Sequence, residues 1–234
     1  FQEQAMGLEN PVEEMEEDQR RQIAYHEAGH AIVQYYLRPD ERIVRVSIVR
    51  RSEALGYVLP VPNYDIYALP LRTFVADILV SMAGHVATKL FLAEYWTGAT
   101  GDFQNVRSRL WQLAHYGYFG PPLDMAQGLN MAKDKGEVVE KFWHRLESQT
   151  EHILLAHAAE VHAVAKALLD RNDLTGRECM EVIRSAAGSA EAVDSELLLK
   201  SLVEETIIDG KNGRNGKAEV KKAKPKRRSP AKPK

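Results

Sequence analysis

The chain has 234 residues, 44% of them hydrophobic, which is enough for one buried core with a helical extension. Its formal charge of −2 hides a split, because residues 211–234 hold eleven Lys and Arg with one acidic residue, whereas residues 1–210 hold 20 basic and 32 acidic residues. The single Cys179 excludes an intrachain disulfide and suits a reducing compartment, and the lack of an apolar run of about 18 residues argues against a membrane span.

The first predicted element is an amphipathic helix. Residues 1–18 are polar and acidic and are typical of a linker from a preceding module. A helix is expected over Gln19–Leu37, where apolar residues recur at helical spacing, with Asp18 placed to cap its start and Pro39 to stop it.

Two short strands are predicted next. Ile43–Val49 alternates between apolar and polar residues, which predicts a strand with one buried face. Leu55–Leu59 predicts a second strand that ends at Pro60, so the pair forms a small hairpin or sheet.

The remainder of the chain predicts helices. A long apolar helix is expected after Pro70, and another over Asp102–Tyr116 after a Gly-rich loop at 97–101. A loop over 117–135 precedes a helical array that is expected to bend near His157. Thr175 and Glu178 have capping-box spacing for a further short helix.

The predicted fold class is therefore mainly α with a small β-hairpin or sheet. We expect a linker at 1–18, a main domain at 19–208 and a disordered basic tail at 209–234. The main domain divides into residues 19–134 and a helical bundle at 135–208.

The strongest chemical signal is the segment His26-Glu27-Ala28-Gly29-His30. His26 and His30 lie four residues apart on the predicted helix, so both imidazoles project from one face and can bind one Zn²⁺. Glu27 can reach a water beside the metal and serve as general base and then acid. Gly29 weakens the helix, which makes sense if another segment packs closely behind the ligands. The alternative is a helix that carries two histidines by chance.

A catalytic zinc site needs a third protein ligand, and spacing leaves it open. The pattern with a third His six residues on fails, because Val33 and Tyr36 occupy its key places. Glu53 falls in a turn between strands, and His85 lies on an apolar helix where a packed His is the commoner case. Asp102 begins a helix after a Gly-rich loop, although spacing alone favours a simple N-cap for it.

The sequence resembles the peptidase domain of FtsH-type, AAA-linked zinc metalloproteases over about residues 8–185. The resemblance is carried by Ala24–Ile32, by Val44–Pro60 with Ala54-Leu55-Gly56 inside it, and by Thr97-Gly98-Ala99 followed by Asp102. It implies a zincin-like fold in which the helix of His26, Glu27 and His30 adjoins a sheet and a C-terminal helical bundle. It also makes Asp102 the third zinc ligand.

The resemblance further implies a processive protease in a membrane-anchored homo-hexamer, fed with unfolded protein by an AAA ATPase. The substrate would add as a strand near Gly56, Tyr57 and Val58. No phosphate-loop motif occurs in this sequence, so the ATPase would act from elsewhere in the full-length protein or in trans. The anchor would lie in a segment outside this chain, with the peptidase in the cytoplasm.

Several positions depart from the family pattern. Gly101 precedes Asp102 where the family has Asn, and Tyr116 replaces a Trp. His85, Thr88 and Lys89 stand where Arg and two acids are usual, which predicts weaker support for the metal ligands.

These departures motivate an alternative, a catalytically degenerate scaffold subunit of a protease ring. A third reading concerns the tail, whose charge density could bind nucleic acid or another anionic surface in a salt-sensitive way. A solvated, solubilising extension is the simpler account of the same composition.

Overall fold

The computed structural model describes residues 15–50, 55–65, 68–93, 99–118, 133–187 and 199–201. The predicted linker is described only from Met15 onward, and the predicted basic tail and Glu53 lie outside the described residues. The helices and strands, in chain order, are α1 (Glu17–Leu37), β1 (Glu41–Ser47), β2 (Tyr57–Pro62), α2 (Leu71–Leu92), α3 (Thr100–His115), α4 (Lys133–Ala156), α5 (Ala158–Arg171), β3 (Asp173–Thr175) and α6 (Gly176–Ala186).

Helix α1 forms where its periodicity predicts it and begins slightly earlier. Its N-cap is Glu16 and makes no side-chain cap bond, so the prediction that Asp18 caps the helix is wrong. Asp18 lies instead in the first turn, where its negative charge interacts favourably with the positive end of the helix dipole. Apolar residues at helical spacing are buried as the periodicity predicts, namely Ile23, Ala24, Ala31 and Ile32.

Helix α2 is the central helix of the fold and starts directly after Pro70, as predicted. It packs against α1, α3 and α4. By length and composition it is the one helix of the described ranges that could cross a membrane, and 56% of its most apolar window is buried inside the fold.

Gly29 lets α1 and α2 approach closely, as expected. A Cβ at Gly29 would lie 2.5 Å from the carbonyl oxygen of Ala83 and 2.6 Å from Cβ of Ala87. A larger residue there would force the helices apart, which overpacking studies put at about 1–3 kcal/mol.

The strands form one antiparallel sheet with the order β2-β1-β3. β1 starts two residues before the predicted Ile43, and a register shift between Ile43 and Arg45 breaks the expected alternation, so Val44 is only half-buried while Ser47 is buried. β2 was predicted to end at Pro60 but continues to Pro62. It can do so because it is an edge strand of the described sheet, where a missing N–H is tolerated.

The third strand was not predicted. β3 has only three residues, too few for a periodic signal, and it is held by pairing with β1 and by Arg45, which makes two 2.6 Å contacts with the carboxylate of Asp173. The capping box that follows is confirmed: Thr175 and Glu178 bond reciprocally at the start of α6.

Between residues 133 and 187 the chain is mostly helical, as predicted. α4 and α5 meet at His157 with a bend of 78°, where the sequence predicts one. Helix α3 ends before Gly117, whose φ of 83° lies in the left-handed region. The helices thus enclose a core around α2, with the sheet beside α1 and α6.

Candidate metal centre

Helix α1 presents two imidazoles to one point. His26 and His30 are one turn apart, and their Nε2 atoms lie 3.1 Å from each other. The rings meet edge to face, with centroids 4.7 Å apart. Two ring nitrogens this close share one ligand position, as the spacing predicts.

Helix α3 brings Asp102 to the same point. Its Oδ2 lies 3.0 Å from His26 Nε2 and 3.4 Å from His30 Nε2. The N-cap of α3 is Ala99 and receives no side-chain cap bond, and Asp102 is the third residue of the helix. The capping interpretation of Asp102 is therefore wrong. Among the described residues, these three side chains are the one group whose ligand atoms could hold a metal ion.

Contacts behind the rings fix their orientation. Nδ1 of His30 lies 2.7 Å from the carbonyl oxygen of Val80, so it donates its proton there. That leaves Nε2 of the neutral ring as a lone-pair acceptor directed at the ligand point. Gly84 lies against both rings: a Cβ there would come within 2.5 Å of His30 Nε2 and of His26 Cε1. Helices α1 and α2 are therefore in close contact at two places, at Gly29 of α1 and at Gly84 of α2.

The electrostatics of this point favour positive charge. Burial acts against protonation of His30, but the hydrogen bond and charge of Asp102 outweigh it and raise the pKa of His30 to about 9. Burial of Asp102 is likewise outweighed by its bonds to His26 and His30, which hold its pKa well below the usual range. A nitrogen–nitrogen–carboxylate set that attracts a proton so strongly also fits a divalent cation, with room for a further ligand.

Glu27 lies beside this group and is almost fully buried. Burial raises the pKa of Glu27, opposed by the charges of His26 and His30. The backbone at Gly56 passes directly over its carboxylate, since a Cβ at Gly56 would lie 2.7 Å from Glu27 Oε1. The carboxylate is therefore confined between α1 and the start of β2.

A cavity of about 850 Å³ opens over the group. Its walls include the three residues predicted to hold substrate, namely Gly56, Tyr57 and Val58. Gly56 precedes β2, and Tyr57 and Val58 begin this edge strand, so an extended chain lying along them would pass the ligand point.

Of the alternative third ligands, Glu53 lies outside the described residues, and His85 does not join the group. His85 lines the cavity, but its ring packs edge-on against Phe103 at 4.8 Å between centroids, and burial lowers its pKa. This is the packed role that the sequence favours for a His on an apolar helix.

Two of the family departures, Thr88 and Lys89, make their hydrogen bonds away from the ligand rings. Thr88 bonds to the carbonyl oxygen of His85, and Lys89 bridges Glu147 and Glu151 of α4 at 3.0 and 2.8 Å. Because a backbone carbonyl orients His30, that contact does not depend on an acidic side chain.

Two contributors to the site were not predicted. Val80 contributes its backbone carbonyl, which any residue type would supply, so the sequence gives no sign of this role. Gly84 had a detectable signal, since Ala83-Gly84 on α2 matches the small residues Ala28-Gly29 on α1, a pattern that indicates close helix packing.

Known proteins share sequence with this chain. Residues 13–119 match the sequence model of Peptidase family M41. The chain is 28% identical over 202 residues to "ATP-dependent zinc metalloprotease FtsH 2" of Methylacidiphilum infernorum, which covers 76% of this chain and 31% of that protein. It is 29% identical over 211 residues to "ATP-dependent zinc metalloprotease FtsH" of Rickettsia bellii, covering 82% and 32%. The chain thus spans about a third of the length of these relatives.

Proposed function

Because the chain carries an FtsH-type peptidase domain of family M41, we propose that it is a zinc-dependent endopeptidase that hydrolyses peptide bonds of unfolded proteins. The observation that carries the proposal is the convergence of His26 Nε2, His30 Nε2 and Asp102 Oδ2 within 3.4 Å of one another, beside a buried Glu27.

In this proposal the two imidazoles and the Asp102 carboxylate hold Zn²⁺. When bound, the ion supplies Lewis acidity, which polarises a carbonyl and lowers the pKa of water toward about 7. The nitrogen and oxygen donor set suits zinc, and the hydrogen bond from His30 Nδ1 to Val80 keeps its Nε2 free to bind.

Glu27 moves the proton. Its carboxylate accepts a proton from the attacking water as the new C–O bond forms at the peptide carbonyl carbon. It then gives that proton to the amide nitrogen as the C–N bond breaks, so that the amine leaves neutral. Confinement of the carboxylate by Gly56 keeps it beside the ligand point through both transfers.

Substrate binds as an extended strand along Gly56, Tyr57 and Val58. Backbone hydrogen bonds give grip with little sequence preference, which suits unfolded proteins. Pro60 and Pro62 of β2 have no N–H to donate, so strand addition is confined to the part of β2 nearest the ligand point.

The wider assembly is part of the same proposal. The relatives named above are called ATP-dependent, and this chain works with an AAA ATPase module, in the same polypeptide or in trans, within a homo-hexameric ring. Cytoplasmic location and membrane association through a segment outside this chain remain predictions, as does anionic-surface binding by the basic tail.

Labelled casein tests the proposal, because it is unfolded and needs no threading. The purified chain is expected to cleave it, to lose activity with a zinc chelator and to regain it when Zn²⁺ is added back. A chain that holds an equivalent of zinc and leaves casein intact would contradict the peptidase function. A chain that holds no zinc would favour the scaffold alternative.

A further inference from the structure

A largely buried group of charges links α1 and α3, which carry the ligands, to α2, which packs behind the ligand rings. The carboxylate of Asp77, on α2, pairs through Oδ1 with Arg38, which follows α1, and through Oδ2 with Arg109 Nη1, on α3, at 2.8 Å. Arg38 and Asp77 are both buried, at 4% and 8% exposure. One carboxylate thus joins cations from two other helices.

The group of Arg38, Asp77 and Arg109 forms a charge bridge between the same three helices that meet at the ligand point. Arg109 is seven residues after Asp102, and Asp77 is seven residues before Gly84, which lies against both imidazoles. Seven residues are two helical turns, so the bridge and the ligand point are parallel layers about 10 Å apart. Fixing Arg109 against Asp77 therefore fixes the position of Asp102 along α2.

Carboxylates outnumber guanidinium groups around Arg38. Arg38 also bonds Asp40 at 3.0 Å through Nε and Nη2 and pairs with Glu41, so three carboxylates face two guanidinium groups. Burial and the nearby Arg38 charge lower the pKa of Arg109. Buried ion pairs contribute little net stability because of their desolvation cost, although removing one partner is costly. We therefore expect these ion pairs to fix the relative positions of the helices more than they add to stability.

The ligand-bearing turn of α3 needs such an anchor. Ala99 provides no side-chain cap, Gly101 is exposed, and no neighbouring atom lies within 4 Å of a Cβ placed at Gly101. Phe103 packs edge-on against His85, but a ring contact sets the position of α3 along its axis less sharply than a charge pair does. The Arg109–Asp77 pair, two turns away, fixes that position through a directional contact.

We propose that Arg109 is a positioning residue, clamped through Asp77 to Arg38, that holds Asp102 at the distance where its carboxylate joins the two imidazoles. This inference rests on the proposed function, since it assumes that Asp102 is a zinc ligand. Arg109 touches neither substrate nor metal and acts through the register of α3.

Zinc affinity of the full chain tests this inference without using peptidase activity. Arg109→Met keeps the stem beside the Phe74 ring, where the guanidinium lies 5.2 Å from the centroid, and removes the charge. We expect it to weaken zinc binding about 10–100-fold, the range found when residues that orient metal ligands are lost. Arg109→Lys should recover most of the affinity, and Arg109→Gln should behave as Arg109→Met does.

A double-mutant cycle separates positioning from general damage. In an Asp102→Ala background, Arg109→Met should have no further effect on zinc affinity, because its route of action is gone. Asp173→Asn is the matched control, since it breaks the comparable Arg45–Asp173 pair in the sheet and should leave zinc affinity within about twofold of the unmutated chain.

Two results would overturn the inference alone: an Arg109→Met chain that binds zinc as the unmutated chain does, or an equal loss in the Asp102→Ala background. An unmutated chain that binds no zinc would overturn the proposed function and this inference together.

Discussion

Replacing Glu27 with Gln is expected to leave zinc bound and to slow casein hydrolysis by about 10²–10⁴-fold, the usual contribution of a general acid–base group. Gln has nearly the shape of Glu, so it fits the confined space between α1 and Gly56. It cannot accept the water proton, however, and catalysis loses its proton carrier. Zinc content and initial rates of casein cleavage, measured on the same preparation, check both parts.

His26→Ala is the matched comparison for this variant. It removes a ligand that lies 3.0 Å from Asp102 and 3.1 Å from His30 at the shared point, so zinc and activity should fall together. If Glu27→Gln cleaves casein at the rate of the unmutated chain, the proposed mechanism is wrong, even if the zinc site is correct.

Replacing Gly84 with Ala is expected to weaken zinc binding strongly, because the added methyl group meets both ligand rings. The added Cβ would lie 2.5–2.6 Å from ring atoms of both His26 and His30, so the rings must turn or α2 must move away. Zinc affinity should fall by about 10²-fold or more, since even residues that only orient ligands cost 10–100-fold. The free energy of unfolding should fall by about 1–3 kcal/mol through overpacking.

Gly101→Ala is the control, since it makes the same change beside the third ligand. No neighbouring atom lies within 4 Å of its added Cβ, and an Ala inside α3 favours the helix by up to about 1 kcal/mol. Thermal unfolding of the metal-free chains and zinc titration should separate the two variants clearly. Equal zinc affinity in Gly84→Ala and Gly101→Ala would contradict the close contact between α2 and the rings.

The helix of His26, Glu27 and His30 could be predicted because its information is local. Periodicity fixes the helix, and a four-residue spacing fixes which side chains share a face. Gly29 carried information as well, because a glycine inside a helix costs stability unless a neighbour needs the space. The bend at His157 and the capping box at Thr175 were readable from local sequence for the same reason.

Contacts between distant segments could not be predicted in this way. Spacing alone favours a cap for Asp102, and only the family resemblance made it a ligand. The hydrogen bond from His30 to Val80 depends on a backbone carbonyl 50 residues away. β3 exists through its partner β1, and β2 continues through Pro60 because the strand lies at an edge. In each case the deciding contact joins residues that are far apart in the sequence and meet only in the folded chain.

X-ray absorption at the zinc edge, on the purified full chain and on Asp102→Ala, tests the central claim most directly. The three-residue centre predicts a first coordination sphere of two imidazole nitrogens with oxygen ligands, and a changed oxygen contribution with weaker binding in the variant. A sphere with one imidazole or with sulfur, or one that is identical in Asp102→Ala, would contradict it.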